Sequence, residues 1–97
     1  MRHGYVYILV NRKNGTIYVG CTSDLQARLC EHRERANPKS FTARYGVAKL
    51  AYYEYFHSIS EARVRERALK RYKRNWKVAL IEAANPDWRD IPLDHDD

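Results

Sequence analysis

Alternating aliphatic and aromatic side chains characterise the first twenty residues of the chain. The stretches 5–10 (YVYILV) and 16–20 (TIYVG) are rich in β-branched and aromatic residues, which favour β-strands. Asn14 and Gly15 lie between them, and this dipeptide favours a type I′ turn because both central positions of the turn need a positive φ. The pattern therefore predicts an N-terminal β-hairpin with a two-residue loop.

The predicted loop also sets the register of the hairpin, because it pairs Lys13 with Thr16 and places Tyr18 opposite Asn11. Side chains alternate between the two faces of a strand, so the residues separate into two sets. We expect the aliphatic set to lie in the core and the tyrosine set to carry a site. The tyrosine set is Tyr7, Leu9, Asn11, Tyr18 and Gly20, and the aliphatic set is Val6, Ile8, Val10, Ile17 and Val19.

A capping-box pattern at Ser23 and Gln26 predicts a helix from about residue 24 to residue 35, ended by Asn37-Pro38. Residues four positions apart lie on the same face of a helix. The helix should therefore present a pair of leucines to the core and a pair of polar side chains beside them. These pairs are Leu25 with Leu29 and Arg28 with His32.

The rest of the chain predicts one more strand, over residues 47–56, and further helices. A short helix is expected over residues 39–45, closed by Gly46. A second capping box at Ser58 and Glu61 begins a helix that should run from residue 59 to residue 74, and a last helix should span about residues 76–84. The predicted buried stripe of the long helix consists of Ala62, Leu69, Tyr72 and Trp76.

These elements predict an α/β (α+β) sandwich, in which a small three-stranded β-sheet with an N-terminal hairpin is flanked by three to four helices. The chain has 97 residues, which is enough for one domain with one core. We assign residues 1–90 to this domain and residues 91–97 to an acidic C-terminal tail.

Charge is distributed unevenly along the chain. The formal net charge is +6, yet residues 1–86 contain 17 Lys and Arg against 7 Asp and Glu, and residues 87–97 contain Arg89 against five aspartates. So basic a domain favours a polyanionic partner, most simply nucleic acid. No apolar run of transmembrane length and no apolar leader is present, so we expect a cytoplasmic protein without membrane contact.

Few side chains suggest chemistry individually. Glu66 lies among eight basic residues between positions 59 and 77, where it could hold one Mg²⁺ or form an ordinary helical pair with Lys70. Arg28 could bind phosphate through two parallel hydrogen bonds or simply be solvated. His32 could contact phosphate, donate a proton, or be a surface histidine. Cys21 and Cys30 are too few and too poorly spaced for a zinc site.

Together these positions resemble the GIY-YIG nuclease domain. Residues 5–7 (YVY) and 18–20 (YVG) resemble the two strand motifs that name the family, with Tyr5 in place of the glycine of the first motif. Residues 24–32 (DLQARLCEH) resemble the following helix, and residues 63–70 (RVRERALK) resemble the helix that carries the family's metal-binding glutamate. Asn85 resembles a late polar position of the family. The likeness covers about residues 4–90 and is greatest to small stand-alone bacterial members.

The resemblance implies an endonuclease that hydrolyses DNA phosphodiester bonds with Mg²⁺ or, alternatively, Mn²⁺. Glu66 would bind a single ion, since no other carboxylate is suitably placed, and Arg28 would neutralise phosphate oxygens. One tyrosine would take a proton from the attacking water while the other positions it, and the sequence leaves open which does which. The base needs a pKa below its usual value of about 10. The implied catalytic residues are Tyr7, Tyr18, Arg28, His32 and Glu66.

The implied partner is DNA, whether single-stranded, branched or duplex, bound by a monomer or a weak homodimer and recognised by structure or as single strands in repair or recombination. Tyr52, Tyr53 and Tyr55 fit either strand packing or stacking on unpaired bases. Two rival interpretations remain: a non-catalytic nucleic-acid-binding protein on the same fold, and a small scaffold whose charge serves solubility or a protein partner. The residues expected to contact the DNA backbone are Lys39, Arg44, Lys70, Arg71, Arg74 and Lys77.

Overall fold

The computed structural model describes residues 2–34 and 45–93. Three strands form one antiparallel sheet with the order β2-β1-β3, and three helices accompany it in the described residues, which confirms the α+β class. The elements are β1 (Gly4–Val10), β2 (Ile17–Thr22), α1 (Leu25–Glu34), β3 (Lys49–Phe56), α2 (Ile59–Arg71) and α3 (Arg74–Ala84). The helix expected over 39–45 lies almost entirely outside the described residues, as do Lys39, Arg44 and the last residues of the tail. In the described ranges, no helix has the length and apolar character that a bilayer crossing requires.

The central strand β1 is covered on both faces, and residues 6–10 are fully buried. Tyr7 and Leu9 pack on one face against the leucines of α1, as their spacing predicts. The aliphatic residues of β1 pack on the other face against α2 and α3, in a cluster that includes Ala62, Leu69 and Ile81. The predicted division into an aliphatic core face and a tyrosine face is therefore confirmed.

The predicted register of the hairpin is wrong by two residues. Tyr18 lies opposite Leu9 rather than Asn11, and the strands are joined by a loop over 11–16. The reason is the side chain of Asn11, whose Oδ1 accepts a hydrogen bond from the Thr16 amide at 2.9 Å and closes the loop locally. Within the loop, only Asn14 has a positive φ, of 59°, so the turn is not type I′. Because the shift is an even number of residues, every side chain stays on its predicted face.

The long helix ends earlier than its apolar pattern predicts. Tyr72 adopts an extended conformation, and its amide donates to the carbonyl of Leu69, so α2 stops at Arg71 and α3 begins at Arg74. The rings of Tyr72 and Trp76 pack edge to face across this break, with centroids 5.4 Å apart. Trp76, predicted to be buried, is exposed, because the break turns it away from the core that Ala62 and Leu69 fill.

The segment after α3 returns to the outer edge of β3. The carboxylate of Asp90 accepts a hydrogen bond from the Leu50 amide at 2.9 Å, and the Ile91 amide donates to the Leu50 carbonyl at 2.8 Å. Asn85 fixes the start of the segment, since its buried side-chain amide donates to the carbonyls of Ala51 and Arg89 at 3.0 and 2.8 Å. Both backbone groups of Leu50 on this edge therefore have partners.

Gly4 is a point of close contact between β1 and α2. A Cβ at this position would lie 2.8 Å from Ile59 Cδ1 and 2.9 Å from both Ile59 Cα and Ala62 Cβ. We therefore predict that Gly4→Ala lowers the free energy of unfolding by about 1–3 kcal/mol through overpacking, measured by urea denaturation. An unchanged stability would contradict this contact.

Candidate active site

Tyr7, Tyr18 and His32 form a cluster on the tyrosine face of the sheet. The phenol oxygen of Tyr7 lies 3.2 Å from His32 Nε2. The ring centroids of Tyr7 and Tyr18 are 6.3 Å apart, and those of Tyr18 and His32 are 5.6 Å apart. The hairpin supplies the two tyrosines and the last turn of α1 supplies His32, so residues from two separate motifs meet at one point.

The position of Tyr7 depends on the absence of a side chain at Gly20. Gly20 is the cross-strand partner of Tyr7, and a Cβ there would lie 2.4 Å from both the Cζ and the phenol oxygen of Tyr7. The ring of Tyr7 therefore lies directly over the backbone of β2. This contact explains physically why a glycine ends the second strand motif.

Burial keeps the Tyr7–His32 pair uncharged. Burial is the main cause that raises the pKa of Tyr7, Tyr18 adds to it, and the positive charge of Arg28 only partly opposes it. Burial and then Arg28 lower the pKa of His32 below 6.5. At neutral pH the two groups are thus a phenol that keeps its proton and an unprotonated imidazole. The lowered pKa expected for a base tyrosine is not found at Tyr7, because burial outweighs the nearby cations.

A cleft of about 510 Å³ lies between the end of β2, the start of α1 and one face of α2. Tyr7, Tyr18 and His32 are not among its described lining residues, but the charges of Arg28 and Glu66, which do line it, act on the Tyr7 phenol. Arg28 reaches it from α1 and Glu66 reaches it from α2, although the two helices cover opposite faces of the sheet. They meet because β2 is an edge strand, around which side chains from both faces can converge. The polar groups that line the cleft are Arg2, Cys21, Thr22, Ser23, Arg28, Arg63, Glu66 and Arg67.

Glu66 is both a helical ion-pair partner and a wall of the cleft. Its carboxylate lies 3.1 Å from Lys70 Nζ, and its side chain is only 20% exposed. Its negative charge also reaches β2, where it adds to the effect of burial in raising the pKa of the Cys21 thiol. The two interpretations of Glu66 left open by the sequence are therefore compatible. Arg28 likewise pairs with Glu31 at 3.2 Å while lining the cleft.

The cleft suits a cation that takes few protein ligands. Glu66 is the single carboxylate among its described lining residues. Residues 2–34 and 45–93 contain no group of three or more His, Cys, Asp or Glu that could hold a metal ion. Mg²⁺ commonly takes one or two carboxylates and completes its shell with water and substrate phosphate. The donor set therefore fits a single hard ion and lacks the clustered carboxylates of a two-metal site.

Three arginines of the cleft were not assigned to the site from the sequence. Arg63 and Arg67 lie within one turn of Glu66 on α2, and Arg2 precedes β1. The helical period counted from Glu66 would have identified Arg63, because residues three positions apart share a face. Nothing in the sequence indicates Arg2, which comes to the cleft through the tertiary fold and lies 3.5 Å from the Ser23 hydroxyl.

The residues expected to contact the DNA backbone have varied surroundings. Lys70 pairs with Glu66, and Arg74 donates to the carbonyl of Gly15 at 2.6 Å, which ties α3 to the hairpin loop. Arg71 is exposed and Lys77 is half-buried. Asn85 is outside the cleft lining and serves the C-terminal segment.

Comparison with known proteins identifies a matching domain family and related sequences. Residues 3–79 match the model of the GIY-YIG catalytic domain, a nuclease domain whose members generally use a divalent metal and act on DNA. The chain is 38% identical to a UPF0213 protein of Clostridium perfringens over 81% of this chain and 83% of the relative. It is 39% identical to one of Halobacterium salinarum over 84% of this chain and 100% of the relative.

A solved structure extends this similarity to the fold. The solution NMR structure of a UPF0213 protein from Bacillus halodurans superimposes with a TM-score of 0.53 at 30% identity, covering 86% of each chain. Because the family model spans most of the sequence, including both strand motifs, α1 and α2, the chain belongs to the GIY-YIG family.

Proposed function

We propose that this protein is a cytoplasmic Mg²⁺-dependent DNA endonuclease of DNA repair or recombination, which hydrolyses phosphodiester bonds by a one-metal mechanism. The observation that carries the proposal is the convergence of Arg28 and Glu66 on one cleft, close enough that both charges act on the phenol of the Tyr7–His32 pair. A protein that only binds nucleic acid needs the arginines but has no need of a carboxylate that repels phosphate. Mn²⁺ should replace Mg²⁺, because both are hard ions that prefer oxygen ligands.

The cleft's charges are arranged for a phosphodiester. Four arginines line it, and guanidinium groups bind phosphate oxygens through paired hydrogen bonds. Arg28 would neutralise the non-bridging oxygens of the scissile phosphate, while Arg63 and Arg67 bind its neighbours. Glu66 would hold the ion, which when bound supplies Lewis-acid stabilisation of the charge on the phosphate and on the leaving oxygen.

The Tyr7–His32 pair can take the proton of the attacking water without a phenolate in the resting state. As the water oxygen bonds to phosphorus, Tyr7 accepts the water proton on its phenol oxygen and passes its own proton to His32 Nε2, 3.2 Å away. The bond to the 3′ oxygen breaks, and that oxygen takes a proton from solvent, leaving a 5′ phosphate and a 3′ hydroxyl. Tyr18, beside both rings, positions the water.

The role of Glu66 is tested by Glu66→Gln, with Glu61→Gln as the matched control. Glu61 is an exposed residue of the same helix, outside the cleft. We expect Glu66→Gln to reduce Mg²⁺-dependent cleavage of labelled DNA by at least about 100-fold, and Glu61→Gln to leave it unchanged. Binding without metal should persist in both variants. A wild-type chain that binds single-stranded, branched and duplex DNA but cuts none of them would identify a non-catalytic binding protein instead.

The proton relay predicts an acid limb in the pH dependence of kcat/KM. Below the lowered pKa of His32 the imidazole is already protonated and cannot accept the proton of Tyr7, so the rate falls as pH decreases through that pKa. The midpoint should therefore lie below 6.5, and His32→Gln should abolish this limb. A midpoint at or above 6.5, or an identical limb in the variant, would exclude His32 as the proton acceptor.

The Tyr7–Gly20 contact predicts a catalytic defect from Gly20→Ala. The added methyl group displaces the phenol by steric overlap, and a misplacement of about 1 Å can cost 10²-fold in rate. We expect a kcat reduction of at least about tenfold, similar to that of Tyr7→Phe. Val19→Ala is the matched control, because it removes a core contact on the same strand from the opposite face. Equal kcat values for Gly20→Ala and Val19→Ala would show that the Tyr7 position is unimportant.

A further inference from the structure

A second groove, of about 540 Å³, lies on the tyrosine face next to the cleft. Its aromatic wall is formed by His3, Tyr5 and Tyr53, and its polar wall by Ser23, Asp24 and Gln26 from the start of α1. We call it the aromatic groove. None of its described lining residues is an arginine or a lysine, so it differs sharply in charge from the cleft.

The aromatic wall continues outward along β1 and β3. Tyr5 and Tyr55 are cross-strand partners, with ring centroids 5.4 Å apart. The His3 ring contacts that of Tyr55 in a tilted arrangement, with centroids 5.7 Å apart. Tyr53 is the cross-strand partner of Tyr7, so this wall belongs to the same sheet face as the candidate catalytic tyrosine. Tyr53 and Tyr55 are 39% and 51% exposed, so part of each ring is accessible to a ligand.

The groove adjoins the cleft at Ser23. Ser23 lines both, and the consecutive residues Arg2 and His3 line one each. A DNA strand whose phosphate is held among the arginines of the cleft would therefore pass its neighbouring nucleotides across Ser23 into the groove. The carboxylate of Asp24 in the groove repels phosphates, whereas the aromatic rings offer stacking surfaces for bases.

We propose that the aromatic groove, with Tyr55 at its outer end, binds unpaired nucleobases that flank the phosphate in the cleft. Base–aromatic stacking requires bases that are not already stacked within a duplex. The site therefore selects single-stranded DNA, or a strand that is unpaired next to the scissile bond. This inference rests on the proposed function and adds to it the class of substrate and the residues that select it.

The test measures binding without divalent metal, so that no cleavage occurs. The probes are a fluorescent oligothymidylate, the same oligonucleotide with abasic sites, and a duplex of equal length. The variants are Tyr53→Ala/Tyr55→Ala and Tyr53→Phe/Tyr55→Phe. Trp76→Ala is the matched control, because Trp76 is an exposed aromatic residue, at 56%, outside the groove.

We expect the alanine pair to lose about tenfold or more of its affinity for oligothymidylate and less than about twofold for the duplex. The phenylalanine pair and Trp76→Ala should bind as the wild type does. The abasic oligonucleotide should bind the wild type and the alanine pair equally, since it keeps the phosphates but lacks bases. The salt dependence should be unchanged, because that slope reports phosphate contacts. If the alanine pair does not fold, Tyr55→Ala alone should lose about fivefold.

Oligothymidylate binding by the alanine pair within about twofold of the wild type would overturn the proposal. Equal losses on oligothymidylate, duplex and abasic probes would also overturn it, because they would indicate a general loss of phosphate binding. Failure of the proposed function is distinguished by cleavage. A chain that never cuts DNA, yet loses single-strand affinity only in the alanine pair, would keep the base site and refute the nuclease.

Discussion

Burial of the central strand on both faces is the constraint that organises this molecule. Because β1 is sealed by α1 on one side and by α2 and α3 on the other, side chains from opposite faces can meet only around an edge strand. The edge at β2 is where Arg28 and Glu66 come together. The cleft is thus a consequence of the strand order, and a fourth strand paired with β2 would separate its two walls.

The electrostatics of the cleft depend on this geometry. Four guanidinium groups share the cleft with one carboxylate, which Lys70 partly neutralises, so the free protein has an excess of positive charge there. A phosphodiester bound there would relieve that excess and release counterions, so the proposed DNA affinity should depend strongly on salt. Tyr7 is buried, and the Tyr7–His32 pair is uncharged, so a polyanion would be attracted to the cleft and not to the proposed proton relay.

Local pattern predicted much of the fold and the grouping of the site. Two-residue alternation placed Tyr7 and Tyr18 on one face, and four-residue spacing placed Arg28 beside His32. Neither pattern depends on contacts between distant residues. The error in the hairpin register left Tyr7 and Tyr18 on one face because the shift was an even number of residues. The family resemblance added Glu66, which periodicity alone would have left as one member of a helical ion pair.

The remaining features depend on tertiary contacts that no local pattern contains. The side chain of Asn11 replaces the expected tight turn, and the break at Tyr72 interrupts a sequence that would otherwise continue as one helix. Arg2 enters the cleft because the chain start lies beside α1. The raised pKa of Tyr7 comes mainly from its complete burial, which the basic composition of the chain does not reveal. The proposed base is therefore a phenol–imidazole pair and not an ionised phenol.

The C-terminal segment has a further consequence for the opposite edge of the sheet. An open strand edge is a template on which other chains can add strands and aggregate. Asp90 and Ile91 form hydrogen bonds with the outer backbone groups of Leu50 on that edge. The guanidinium of Arg33 on α1 forms an ion pair with the Asp90 carboxylate, with Nη2 and Oδ1 3.0 Å apart. A few residues without regular secondary structure thereby protect β3 from strand addition at this point, while the other edge of the sheet, at β2, borders the cleft.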